Sequence, residues 1–272
     1  MQQGKLDKDL IPQPELWRMA LLISRQSLDV ALYPPVESEE AIFRSITLDP
    51  EAPTHLKAVE DAIYENPLLL SDFKSIQGFI DSDFFLLLPD EIPQERYDSM
   101  LKISAQTPQE QWRSIATPAS PGVKLIMAAD EELCRFLTRT FFNISLRHPL
   151  AILTGMLASD NSGIRSYSIM HRKRIYMMSF DDRKLLSANT FTYNEPMDAV
   201  YYILASRSIS DIDSVKHPHF YAGQPESIDS VIPILRSYIA QIIPTEIHIL
   251  PYRTTRHTLN AHYLLTSLPL CE

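Results

Sequence analysis

The densest chemistry-bearing run in the sequence is His171-Arg172-Lys173-Arg174, an imidazole followed by three cations. Such a run contacts an anion or RNA when it converges on a ligand, and is a solvated hairpin turn when it does not. Ser24 and Ser27 bracket a second polar turn and could donate hydroxyls to an anion. Asp81-Ser82-Asp83 could pair two carboxylates for acid–base work, although Asp and Ser also favour turns through local hydrogen bonds. His217-Pro218-His219 has the spacing of two metal ligands, with Asp211 and Asp213 nearby. A metal usually needs a third convergent ligand, so the pair reads as a loop-to-strand junction before it reads as a metal site. Cys134 falls in a helical stripe with Leu133, Phe136, Leu137 and Phe141, which makes it a buried small hydrophobe before it is a nucleophile. No serine-hydrolase elbow, zinc-protease helix motif or glycine-rich phosphate loop occurs.

Composition limits what these residues can serve. The chain has 272 residues, enough for one large domain or two small ones. Hydrophobic residues make up 45% and charged residues 22%, so a sizeable core is expected. A net charge of −9 argues against a general attraction to nucleic acid. Two cysteines, Cys134 and Cys271, make neither a disulfide framework nor a zinc cluster. No apolar run approaches a membrane span, and the N-terminus has no apolar signal region, so no membrane insertion and a cytoplasmic location are expected. The six glycines matter most, because a backbone that cradles phosphate needs them.

Residues 1–16 read as a loose arm. Trp17–Ile23, Leu28–Tyr33 and Ala41–Ile46 read as a meander of three strands. A helix follows over Thr54–Glu65, stopped by Asn66-Pro67. Ser75–Ile80 and Phe84–Leu88 read as a hairpin, and Pro93–Ala105 as a helix. Thr107-Pro108-Gln109-Glu110 has a capping-box pattern, for a helix cut short by Pro118 and Pro121. Val123–Met127 is a strand, Asp130 caps a helix, and a strand near Ile144–Arg147 precedes a helix from Pro149. The order then restarts. Ile164–Met170, Ile175–Phe180 and Leu185–Tyr193 are three strands, followed by a helix from Glu195 with Asn194 able to cap. A strand at His219–Ala222, a helix over Asp229–Ile242 and a strand at Glu246–Leu250 complete the second copy. The aromatics Tyr201, Tyr202, Phe220, Tyr221 and Tyr238 sit at element spacing and read as core or rim. Two copies about 145 residues apart are too widely spaced for a solenoid and suggest two lobes.

That order resembles the superfamily of actin, sugar kinases and heat-shock chaperone ATPases, a ribonuclease H-like architecture. The stretches LLISRQSLDVALY, QGFIDSDFFLLLPDEIP and HFYAGQPESIDSVIPILRSYI resemble a bacterial domain-of-unknown-function family with this fold. The resemblance implies an α/β protein of two similar lobes, residues 1–160 and 161–272. Each lobe is then a mixed sheet of a three-strand meander plus crossover strands, with covering helices.

In that superfamily the first hairpin turn of each lobe is a phosphate loop with Asp and Gly, and its carboxylates hold magnesium through water. The corresponding stretches here, Ile23–Ser27 and Ser168–Arg174, have neither residue. The adenosine-contacting Gly-Gly is reduced to Gly223-Gln224. The resemblance therefore implies a degenerate nucleotide site: no cofactor, no catalytic residue, and a non-enzymatic interaction protein with a protein partner. One alternative is a divergent ATP-binding protein or kinase, using magnesium and the residues Ser24, Ser27, Gly223 and His171 to Arg174. A third is an RNA-associated factor using the basic hairpin.

Overall fold

A computed structural model describes residues 5–36, 39–105, 111–159, 162–245 and 261–268. Strands β1 (Arg18–Ile23), β2 (Ser27–Tyr33) and β3 (Ile42–Thr47) form the expected antiparallel meander. Helix α1 (His55–Tyr64) starts where the Thr54 hydroxyl accepts the Lys57 amide, and leads to β4 (Ser75–Ile80), which lies parallel to β1. Next come β5 (Phe85–Pro89), α2 (Tyr97–Ala105), β6 (Trp112–Ser120) and β7 (Val123–Asp130). Asp130 caps α3 (Glu131–Thr140) through the Leu133 amide, and β8 (Ser145–Arg147) and α4 (Pro149–Leu157) end the first half.

The second half repeats the plan with β9 (Ile164–His171), β10 (Arg174–Asp181), β11 (Lys184–Thr192), α5 (Pro196–Ile209), β12 (His219–Gly223), α6 (Pro225–Leu235) and β13 (Ile242–Pro244). The sheets run β3-β2-β1-β4-β8 and β11-β10-β9-β12-β13, the same order twice. In both, the meander is antiparallel and the two later strands are parallel, so each later strand needs a helical crossover. A third sheet, β5-β7-β6, interrupts the first half alone, between β4 and α3.

Several expectations are corrected. Ser75–Ile80 and Phe84–Leu88 are not a hairpin, because β4 pairs with β1 and β5 pairs with β7. Residues 81–83 cross between two sheets, and the Ser82 hydroxyl donates to the Ala128 carbonyl (2.7 Å) to fix the crossing. The capping box at 107–110 lies outside the described residues, and a strand occupies 112–120, where a helix was expected to run out. Pro118 is tolerated there because β6 is an edge strand with a register shift beside it. Helix α6 starts at Pro225, four residues early, since proline suits the first helical position. Glu195, not Asn194, caps α5, in a capping box with Asp198. The strand expected at 246–250 lies outside the described residues.

The arm is not loose over its described part. Leu6 is buried, its amide donates to Asn66 Oδ1, and its carbonyl accepts from the Leu68 amide. A last helix, α7 (Tyr263–Ser267), falls in the stretch assigned to the second lobe but packs into the core beside β2, where the Tyr33 hydroxyl donates to the Leu265 carbonyl.

Candidate functional site

The β1–β2 turn and the β9–β10 turn face each other across a cavity of about 370 Å³. Ser24, Ser27, His171, Arg172, Lys173 and Arg174 all line it. Gly223 does not; it packs against the backbone of Met170, where a Cβ would come within 1.9 Å of the carbonyl oxygen. A larger hollow of about 860 Å³ lies beneath α4, but Arg147 is the only charged residue on its described walls. The chemistry gathers at the smaller one.

The two arginines of the basic run pair with carboxylates of the first half of the chain. Arg174 Nε lies 2.8 Å from Asp81 Oδ2, its Nη1 pairs with Asp83, and its Nη2 donates to Thr190. The Tyr176 hydroxyl donates to Asp81 Oδ2 at 2.7 Å. Burial pushes the Asp81 carboxyl up against the pull of Arg174 and Tyr176, and pushes the Tyr176 hydroxyl well above its usual value. Burial also works against the Arg174 charge, but the surrounding Asp81, Tyr176 and Asp83 outweigh it and raise its pKa.

Arg172 Nη2 lies 3.7 Å from Asp29 Oδ1 and donates to Ser45. His171 Nε2 lies 3.7 Å from Asp29 Oδ2, too far for a hydrogen bond. Burial alone would raise Asp29, yet His171, Arg172 and Ser45 hold it at about 2. Lys173 donates to the Asn194 carbonyl. Asp29 was not among the expected site residues, although a buried carboxylate inside the alternation Leu28-Asp29-Val30 was the signal available for it. Tyr176 and His262 carried no such signal.

Each turn has backbone donors already taken by its own side chains or neighbours. Ser24 Oγ accepts from the amides of Gln26 (3.3 Å) and Ser27 (3.0 Å). Gln224 Oε1 accepts from the Arg172 amide (2.7 Å), and the Arg172 carbonyl takes the hydroxyls of Tyr193 and Ser227. These contacts stabilise Arg172 in its left-handed conformation, φ 56°. An anion would have to displace these partners to reach the amides of Gln26, Ser27 and Arg172.

Apart from Arg174 Nε, which is ion-paired with Asp81, four buried polar atoms on the cavity have no hydrogen-bond partner among the described residues: Asp81 Oδ1, His262 Nε2 and both ring nitrogens of His171. His262 Nδ1 accepts from the Leu264 amide, so its Nε2 carries the proton and is an unused donor. Burial drives the His262 pKa well below its usual value. This leaves room for water or a small polar ligand. No group of three potential metal ligands exists among the described residues.

The other candidates are structural. His219 is buried between the hydroxyls of Ser166 (2.8 Å) and Ser168 (2.9 Å), while His217 Nδ1 accepts from the Asp213 amide, so the two rings do not converge. Burial lifts the Cys134 thiol to about 11, which leaves it protonated and unreactive at neutral pH.

His148 donates from Nε2 to the Ser82 carbonyl and accepts at Nδ1 from Leu150, so a second proton has no place to go. Burial lowers its pKa to about 4. The unfolded state then holds the extra proton between the ordinary pKa of about 6.5 and 4, so stability is full above that window and is lost as pH falls through it. His148 alone costs roughly 3 kcal/mol by pH 4. Urea midpoints at pH 7 and pH 4.5 check this; equal midpoints refute a neutral buried His148.

The profile of the family described as "Protein of unknown function (DUF3822)" matches residues 9–242. The chain belongs to that family. Among curated proteins it has no match. A Bacteroides thetaiotaomicron protein with actin-like ATPase fold and unknown function is similar in structure, with a TM-score of 0.80 at 15% identity over 96% of this chain and 98% of the other. PilM in the PilM-PilN type IV pilus biogenesis complex is similar with a TM-score of 0.57 at 12% identity, over 95% and 98%. The fold is therefore that of the actin-like ATPases, in agreement with the strand order repeated in the two sheets. No helix among the described residues is long and apolar enough to cross a membrane.

Proposed function

We propose that the chain is a non-enzymatic interaction protein built on an actin-like scaffold, with its cleft held by its own charged side chains. The observation that carries this is the pairing of Arg172 and Arg174 with Asp29, Asp81 and Asp83 across the cavity. Three of the turn amides, those of Gln26, Ser27 and Arg172, are taken by Ser24 and Gln224. Phosphoryl transfer also lacks an unpaired carboxylate on the described walls of the cavity to hold a metal, since Asp29, Asp81 and Asp83 are paired with cations. The PilM-PilN complex, formed on the same fold, supports a protein partner. The free, buried Cys134 suits a reducing compartment such as the cytoplasm.

Divergent nucleotide binding is the second reading, favoured by the cavity and its four unpartnered polar atoms. A thermal-shift titration with ATP, ADP and GTP, with and without magnesium, separates the two. A ligand that binds only the folded state raises the melting temperature by mass action. No shift is expected at millimolar nucleotide. A concentration-dependent shift that needs magnesium, and that disappears when Arg172 is replaced by alanine, sinks the interaction-only reading.

A further inference from the structure

The three sheets end in six edge strands, and five of them are blunted. On β3, the Arg44 guanidinium donates back to the outward carbonyl of Phe43 (2.9 Å). On β11, Asn189 Oδ1 accepts from the Thr190 amide. Strands β8 and β13 are three residues long, and β13 ends on Pro244. Strand β6 carries Pro118 and a register shift, and α4 lies against it. Devices of this kind keep an edge from pairing with foreign strands.

Strand β5 has only one of them, Pro89 at its end, and the two outward residues before it, Phe85 and Leu87, keep their amides. Its sequence, Phe85-Leu86-Leu87-Leu88-Pro89, holds no polar side chain, and its pairing with β7 is regular. The Ala128 amide donates to the Phe84 carbonyl (2.8 Å). Antiparallel bonding alternates, so Leu86 and Leu88 bond inward to β7, while the amides and carbonyls of Phe85 and Leu87 point outward. Those four groups have no partner among the described residues. Both faces of the strand are covered. Leu86 and Leu88 pack with Tyr97 and Leu101 of α2, and Phe85 and Leu87 pack against the main core. What is left open is the edge itself.

We infer that β5 is a docking edge for an extended segment of a partner protein, which adds as a fourth strand to the β5-β7-β6 sheet. Main-chain bonds to Phe85 and Leu87 supply the affinity, and alternating apolar side chains on the partner extend the two covered layers. The exposed carboxylates Asp90 and Glu91 stand at the end of the strand, so the partner segment carries Lys or Arg beside its apolar run. A second copy of the chain fits worse. Antiparallel self-pairing would set Ser82, Asp83 and Phe84 of one copy opposite Asp90 and Glu91 of the other, and that stretch offers no basic residue, its Asp83 being already paired with Arg174. This surface deepens the interaction reading, but it does not depend on whether the cleft binds nucleotide.

The probe is a fluorescein-labelled synthetic peptide of alternating valine and threonine with lysine at both ends, followed by fluorescence polarisation on the full chain. Leu87→Ala and Leu87→Pro both lose the leucine side chain, and only the second loses the outward amide. Saturable binding is expected for the native chain and for Leu87→Ala, and weaker binding by about tenfold or more for Leu87→Pro. A peptide methylated on alternate amides is expected not to bind, which keeps the test decisive if Leu87→Pro fails to fold. Absence of saturable binding to the native chain, equal binding by the two variants, or signal that tracks only self-association in sedimentation overturns the proposal. If the peptide fails while nucleotides also give no thermal shift, the interaction reading survives and only this surface is lost.

Discussion

Replacing Arg174 with methionine lowers the melting temperature by on the order of 10 °C at neutral pH, which corresponds to about 3–5 kcal/mol. The cause is the charge left behind. Asp81 is buried, with Oδ2 2.8 Å from Arg174 Nε, and its Oδ1 has no other partner among the described residues. Without the guanidinium, Tyr176 alone faces a buried anion, and the carboxyl moves further up and takes a proton. The sign follows: the loss is largest at high pH, where holding the anion costs most, and shrinks as pH falls and Asp81 is neutralised. The second substitution Asp81→Asn removes the stranded charge and recovers much of the loss. Thermal melts of both single variants and the double variant form a cycle that isolates the coupling. Additive effects would mean that Arg174 and Asp81 do not depend on each other, and the cross-cavity clasp would have to be abandoned.

Gly223→Ala destabilises the second half of the chain by on the order of 5 kcal/mol. Gly223 has φ 141°, a region L side chains rarely adopt, and an added Cβ would meet the Met170 carbonyl oxygen at 1.9 Å, its carbon at 2.7 Å and its nitrogen at 2.8 Å. These are backbone atoms of the paired strand, so relief requires β12 to part from β9. Gln224, which also donates its amide to the Met170 carbonyl, would then release the Arg172 amide. Gly122 is the control. Its φ is 75°, but nothing lies within 4 Å of an added Cβ, so Gly122→Ala pays only for conformation, roughly 1 kcal/mol. Urea midpoints decide it: if the two alanine variants unfold together, the close approach of the strands is not what holds Gly223. Gly223, for which the resemblance implied an adenosine contact, packs against Met170 and does not line the cavity.

Much of the architecture was legible locally. The meanders Arg18–Thr47 and Ile164–Thr192 appear as alternating apolar runs separated by polar turns, and period-two alternation is a property of neighbours in sequence. Helices announced themselves by Thr54 and Asp130, whose side chains accept the amide three residues on, and by Pro149 at a first helical position. Failures came where local rules allow two answers. Two apolar runs around Asp81-Ser82-Asp83 look like a hairpin whether the strands pair with each other or, as here, with β1 and β7. Ser24, Ser27 and residues 171–174 were placed at one cavity only because the repeated element order resembled a known fold.

Taken alone, the sequence determined the two-lobed α/β plan and the absence of glycine–aspartate phosphate loops, since both depend on residue type and short spacing. Which charges meet was decided by the tertiary structure. Arg174 finds Asp81 and Asp83 across more than ninety residues of chain, and Arg172 finds Ser45 across 127. The open edge of β5 is likewise a tertiary fact, because an apolar pentapeptide reads the same at the centre of a sheet as at its margin. Ion pairs and sheet order depend on distances in space, and no periodicity along the chain encodes them.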